Sequence, residues 1–143
     1  MDIEFQSLVV ECDKIYLVRQ TPLEIIDHSC GNDWTTYEGR REFIIKETGY
    51  VYKPPILIHN ENIDIAIPTR SANHFNCVWI NPDNVLNVIK RGNTCSIIFE
   101  NGLEVYLDVS HHTINQQLQR AYRTHRLVEY KNREYNSIKQ PTY

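Results

Sequence analysis

The chain has 143 residues, 18 acidic against 15 basic side chains and a formal charge of −3, the size of one domain. With 41% apolar residues, 23% charged and only five Gly and six Pro, it can bury a core and is neither collagen-like nor low-complexity. The charge balance excludes a DNA-binding domain that works by bulk positive charge. The short apolar runs exclude a bilayer span of roughly 20 residues.

The first ten residues hold two acidic side chains and no basic one, so no secretory signal is expected. The cytoplasm is the expected location. In that reducing setting Cys12, Cys30, Cys77 and Cys95 read as small apolar thiols rather than a disulfide framework.

Period-two alternation runs through much of the first hundred residues, as where Ile63, Ile65 and Ile67 face one way around Asp64 and Ala66. It predicts strands at 4–10, 14–19, 42–46, 56–58, 63–67, 77–80, 85–89, 94–100 and 103–109. Residues 59–62, 81–84 and 101–102 are the turn segments between them. At Asn101-Gly102 a two-residue loop would pair Glu100 with Leu103 and split the apolar set. A three-residue loop pairs Phe99 with Leu103, Ile97 with Val105 and Cys95 with Leu107, which predicts a type I turn with Gly102 left-handed in a bulge.

After Val109 the period becomes helical, with Ile114, Leu118, Ala121, Tyr122, His125 and Val128 as the apolar stripe. Thr113 and Gln116 have the spacing of a capping box. Arg120, Arg123 and Arg126 fall on the opposite face. The expected fold is α+β: antiparallel β-hairpins and sheet with one C-terminal amphipathic helix packed on them. Residues 1–131 are expected to form a single domain and 132–143 a polar, poorly ordered tail.

The charge is unevenly spread. Residues 1–38 carry two basic against eight acidic side chains, whereas residues 111–143 carry six against two. Such separation can build a local positive face on a chain of negative total charge. Catalysis has little support: no Gly-rich phosphate loop is present and no carboxylate pair sits in a recognisable acid/base motif. The cysteines lack the short spacing of zinc ribbons, so neither metal nor cofactor is expected. Asp27, His28 and Cys30 are close in sequence, but a thiol enzyme built on Cys30 ranks behind a buried cysteine.

What remains is a set of polar, basic connectors. Gly39 reads as a tight turn before Arg40 and Arg41, whose guanidiniums suit phosphate or a narrow groove. Lys53 precedes Pro54-Pro55, a stiff segment suited to a sheet edge. Arg70, Asn73 and His74 lie on the longest polar connector and suit shallow readout in a minor groove.

At these connectors the chain resembles the competence transcription factor family, ComK, of Gram-positive bacteria. The resemblance runs from about Pro22 to Arg120 through segments 22–30, 37–41, 53–56, 68–69, 77–80, 101–102 and the helix start at 110–120. It implies a cytoplasmic DNA-binding activator of DNA-uptake and recombination genes. Such a protein binds paired A/T-rich boxes largely through the minor groove, as dimers arranged in pairs. Gly39, Arg40, Lys53 and Arg120 match the family pattern and Arg41 keeps the charge, while Arg123 and Arg126 follow from helix geometry alone. The candidate DNA-binding set is therefore Arg40, Arg41, Lys53, Arg70, Asn73, Arg120, Arg123 and Arg126. Longer family members also carry an extended C-terminal segment resembling an adaptor tag for regulated proteolysis. This chain ends at Tyr143 without it, which leaves a proteolytic adaptor open as a partner. The competing reading is a self-associating regulatory module that binds no DNA, the acidic front of one copy meeting the basic helix of another.

Overall fold

The computed structural model describes residues 6–11, 15–31 and 35–139, the last by its backbone alone. Cys12, the expected strand positions 4, 5 and 14, and tail residues 140–143 lie outside the described residues. Among the described residues the architecture is α+β, as expected, with three small antiparallel sheets. It has three α-helices rather than the single C-terminal one expected from the sequence, which assigned no element to residues 22–31.

Strands β1 (Ser7–Val10) and β2 (Ile15–Val18) form a hairpin with Ser7 opposite Val18. Leu8 and Val10 help line an apolar pocket of about 450 Å³ with Trp79, Phe99 and Leu107.

Helix α1 (Pro22–Gly31) begins where Thr21 and Glu24 make a reciprocal cap. The Glu24 amide donates to Thr21 Oγ1 (3.2 Å), and the Thr21 hydroxyl donates to the Glu24 carboxylate (3.1 Å). Pro22 stands at the first helical position, where its missing N–H costs nothing.

Helix α2 (Tyr37–Thr48) starts at Thr36, whose Oγ1 accepts from the Gly39 amide at 3.0 Å. It ends at Gly49, held left-handed at φ +77° with its N–H donating to the Ile45 carbonyl. Two sequence expectations are corrected here. Residues 42–46 are helical rather than a strand, because the caps at Thr36 and Gly49 override the β-branched run at Ile44-Ile45. Gly39 sits inside the first helical turn rather than in a tight connector. Asp27 of α1 accepts from the Tyr37 amide at 2.8 Å and joins the two helices.

The second sheet orders β3 (Ile56–His59), β4 (Asp64–Pro68) and β5 (Trp79–Ile80). Ile63, Ile65 and Ile67 are buried together as the alternation predicted. Strand β5 holds only the last two residues of the expected 77–80 strand. A short 3₁₀ turn at Pro82–Asn84 leads to the third sheet: β6 (Val85–Arg91), β7 (Thr94–Phe99) and β8 (Glu104–Leu107). Its register is the one expected: Ile97 faces Val105, Cys95 faces Leu107, and the Phe99 amide donates to the Leu103 carbonyl. Gly102 has φ +87°, and its N–H closes the turn onto the Phe99 carbonyl.

Helix α3 (His111–Lys139) packs against β4, β6 and β7. Ser110 rather than Thr113 caps it, its Oγ accepting from the Thr113 amide at 3.1 Å. The helix continues to Lys139 through eight residues read from sequence as polar tail. Its buried stripe is Ile114, Gln117, Ala121, Thr124 and Val128, at strict three-four spacing. Leu118 flanks the core, whereas Tyr122 is exposed. The expected stripe was thus rotated, because two polar residues take inward positions.

Candidate nucleic-acid interface

Three segments converge beside the N-terminal half of α3. The first is the connector from Gly49 to Pro55. Pro54 and Pro55 are buried, and Lys53 adopts φ +51°, an uncommon conformation for a residue with a Cβ. Helix α3 holds this backbone in place. Gln117, 1% exposed, donates through Nε2 to the Lys53 carbonyl at 3.0 Å and to the Pro68 carbonyl at 2.7 Å. One turn on, Arg120 donates to the Tyr52 carbonyl at 2.8 Å, and its guanidinium lies 4.7 Å from the Tyr50 ring centroid. With the backbone fixed, the Tyr52 side chain is left 81% exposed.

The second segment is the 69–78 loop between β4 and β5. Its base is closed twice: the Thr69 amide donates to the Val78 carbonyl (3.0 Å), and the Val78 amide to Thr69 Oγ1 (2.9 Å). Two inner turns join His74 to Ser71 and Cys77 to His74, each at 2.9 Å. Burial pushes the Cys77 thiol above its ordinary pKa, consistent with a structural rather than reactive thiol. Arg70 leaves the loop to grip Asp108, donating to its carbonyl oxygen and, at 3.1 Å, to its carboxylate.

The third segment is the first turn of α2. Here the two neighbouring arginines part company. Arg40 is 9% exposed and its Nε donates to Thr35 Oγ1 at 2.7 Å. Arg41 is half-buried and pairs with Glu38 at 3.4 Å.

Together the segments form an open cleft of about 490 Å³ whose walls include Arg41, Tyr52, Lys53, Ser71 and Asn73. Lys53 also borders a second cleft of about 430 Å³, with Arg70, His74 and Thr113. It stands on the ridge between them. Arg123 and Arg126 line a different hollow on α3 with Tyr122.

Of the eight residues named from sequence, Arg41, Lys53 and Asn73 are therefore brought together, with Arg70 adjacent. Arg40 and Arg120 are engaged with the protein itself, and Arg123 and Arg126 form a separate surface. Sequence reasoning missed Gln117 and Tyr52. Gln117 had a signal in its spacing, three residues after Ile114 and four before Ala121. The Asp27, His28 and Cys30 group does not assemble: Cys30 is fully buried, His28 is exposed and Asp27 caps α2.

The chain is similar to a competence transcription factor of Bacillus subtilis (strain 168), with 28% identity over 122 residues that make up 85% of this chain. The matched region spans 64% of that protein's own length. No solved structure matches the chain. The sequence match extends over residues 1–133, from the β1–β2 hairpin through most of α3, and on that extent the chain belongs to the ComK protein family.

Proposed function

We propose that this protein is a cytoplasmic DNA-binding transcriptional regulator that activates competence genes by engaging paired A/T-rich boxes through the minor groove, as dimers or pairs of dimers. The observation that carries the reading is the convergence of Arg41, Lys53 and Asn73, from three separate segments, on one open cleft. Two cations and an amide, offset in part by the Glu38 carboxylate that pairs with Arg41 on the same wall, suit a phosphate-lined groove, and a narrow A-tract groove concentrates negative potential enough to draw them in. A net charge of −3 is no obstacle, because the field that matters is local. In this reading Lys53 and Arg41 contact phosphates and Asn73 reaches base edges. Arg123 and Arg126 supply a further phosphate contact from α3, and Arg70, held on Asp108, borders the neighbouring cleft. Arg40 and Arg120 shape the interface from behind. Membership of the family and similarity to a protein named a competence transcription factor support the same assignment.

The experiment is fluorescence anisotropy on duplexes with paired A-tracts and on G·C controls, between roughly 50 and 200 mM salt. The expected result is preference for the A-tract duplex with a negative salt slope. Lys53→Ala and Arg41→Ala should each reduce that slope by about 0.9. Equal affinity for both duplexes, or no salt dependence, overturns the proposal. Sedimentation with and without duplex tests the dimeric arrangement.

A further inference from the structure

Phe75 is 89% exposed, the most exposed of the large apolar side chains described. It sits on the 69–78 loop, two residues beyond the cleft wall formed by Ser71, Ala72 and Asn73. Three features set it apart from an incidental surface aromatic. The loop is clasped at its base by the two Thr69–Val78 hydrogen bonds and braced inside by the turns at Ser71 and His74, so the ring is presented on a defined backbone. The ring is stacked on His74, with centroids 4.9 Å apart and planes at 16°, which limits its rotamers. Its chain neighbours Asn73, His74 and Asn76 are all polar and exposed.

That last point selects the occupant. A protein partner would be met by a contiguous apolar patch, whereas one flat ring among hydrogen-bonding groups suits a slot between two base pairs. The floor of the minor groove offers only acceptors at A·T pairs, the N3 of adenine and the O2 of thymine. Asn73 and Asn76 carry amide donors beside the ring, and the Asn76 backbone is fixed by its N–H donating to His74 Nδ1 at 3.0 Å.

We infer that Phe75 is an apolar wedge that enters a base step of an A/T-rich duplex from the minor groove, unstacking it and bending the DNA toward the major groove. The inference rests on the proposed DNA-binding function and adds a residue and a mode of DNA deformation to it. Insertion at a flexible step such as TA is favoured because such steps kink readily. The unstacked face of the base is then covered by the ring, with Lys53 and Arg41 in the cleft alongside holding the strand.

The test uses the full chain with A/T-box duplexes bearing 2-aminopurine at successive positions, and the same duplexes labelled at both ends for energy transfer. Wild type is expected to raise 2-aminopurine fluorescence at one step and to shorten the end-to-end distance. Phe75→Ala should abolish both signals and weaken binding roughly tenfold to a hundredfold, while its melting temperature stays unchanged because the ring is exposed. Phe75→Leu, which keeps an apolar wedge, should restore the bend. Wild-type binding without a 2-aminopurine change, or Phe75→Ala binding and bending like wild type, overturns the wedge and leaves the DNA-binding function standing. No binding by wild type to any duplex overturns both. Loss of self-association in Phe75→Ala, with its 2-aminopurine signal intact, assigns the ring to a subunit contact and likewise overturns the wedge.

Discussion

Gln117 of α3 donates a 3.0 Å hydrogen bond to the carbonyl of Lys53, a residue 64 positions earlier in the chain. The same nitrogen reaches the Pro68 carbonyl at the end of β4. One buried amide thus holds together the connector that presents Lys53, the strand that launches the 69–78 loop, and the helix.

Replacing Gln117 by Ala should therefore be costly. It leaves two backbone carbonyls without their donor in a buried setting, at about 1–3 kcal/mol each, and opens a cavity. A loss of about 2–5 kcal/mol is expected by urea denaturation. Gln117→Glu should be at least as damaging, since a carboxylate facing two carbonyls donates nothing. A loss below about 1 kcal/mol for both variants would contradict the clamp.

Lys53 allows charge and fold to be separated. Its φ of +51° is strained for a residue with a Cβ and free for glycine. Lys53→Gly should retain or slightly raise the melting temperature while losing affinity for A/T-rich duplex and part of the salt slope. A variant that unfolds would place the side chain of Lys53 among the groups that stabilise the fold.

Gly102→Ala tests the hairpin alone. A methyl there meets no atom within 4 Å, so only the backbone at φ +87° resists it, and a loss of about 1 kcal/mol is expected. Asn at the same position, which tolerates the left-handed region, should recover much of it.

Stability should fall on both flanks of pH. The Ser96 hydroxyl and the Arg91 guanidinium donate to Glu104, each at 2.7 Å, and hold its carboxyl below the ordinary value. The unfolded chain therefore binds the proton more readily, and this contribution is present above the ordinary carboxylate pKa and lost as pH falls through the folded one. Burial pushes the Cys77 and Cys95 thiols up. The folded chain keeps those protons longer, so their contribution is present below the ordinary thiol pKa and lost as pH rises through the raised one. Denaturation midpoints across pH should trace both limbs, and Glu104→Gln should flatten the acid limb alone. An unchanged acid limb would remove Glu104 from the account.

The parts of the fold that were legible are those where one local rule decides. At residues 95–107 the alternation and Asn101-Gly102 admit a single register that keeps the apolar set together, and that register is observed. In α2 two local rules conflict: Phe43-Ile44-Ile45 reads as a strand, and only the caps at Thr36 and Gly49 tip the balance. Helix α1 was not expected from the sequence at all, although Thr21-Pro22-Leu23-Glu24 carries its start signal, a threonine cap with proline at the first position. The stripe of α3 was misjudged because Gln117 and Thr124 are polar, and what makes a buried polar residue acceptable is its distant partner. The same applies to the interface. Arg41, Lys53 and Asn73 could be named from residue type, but their meeting on one cleft depends on how a helix, a connector and a loop pack together, and the divergence of Arg40 from Arg41 on which face of α2 each occupies.

The double hydrogen bond of Gln117 also bears on how the interface comes into being. The β3–β4 pairing, with Ile56 opposite Ala66, brings the end of the 49–55 connector and the root of the 69–78 loop side by side, and Gln117 bonds the Lys53 and Pro68 carbonyls just beyond that ladder. Completion of the cleft is then coupled to the docking of α3 on the second sheet. A nascent chain that has not yet released residue 117 would hold every basic residue of the cleft and still lack the amide that ties its two walls together.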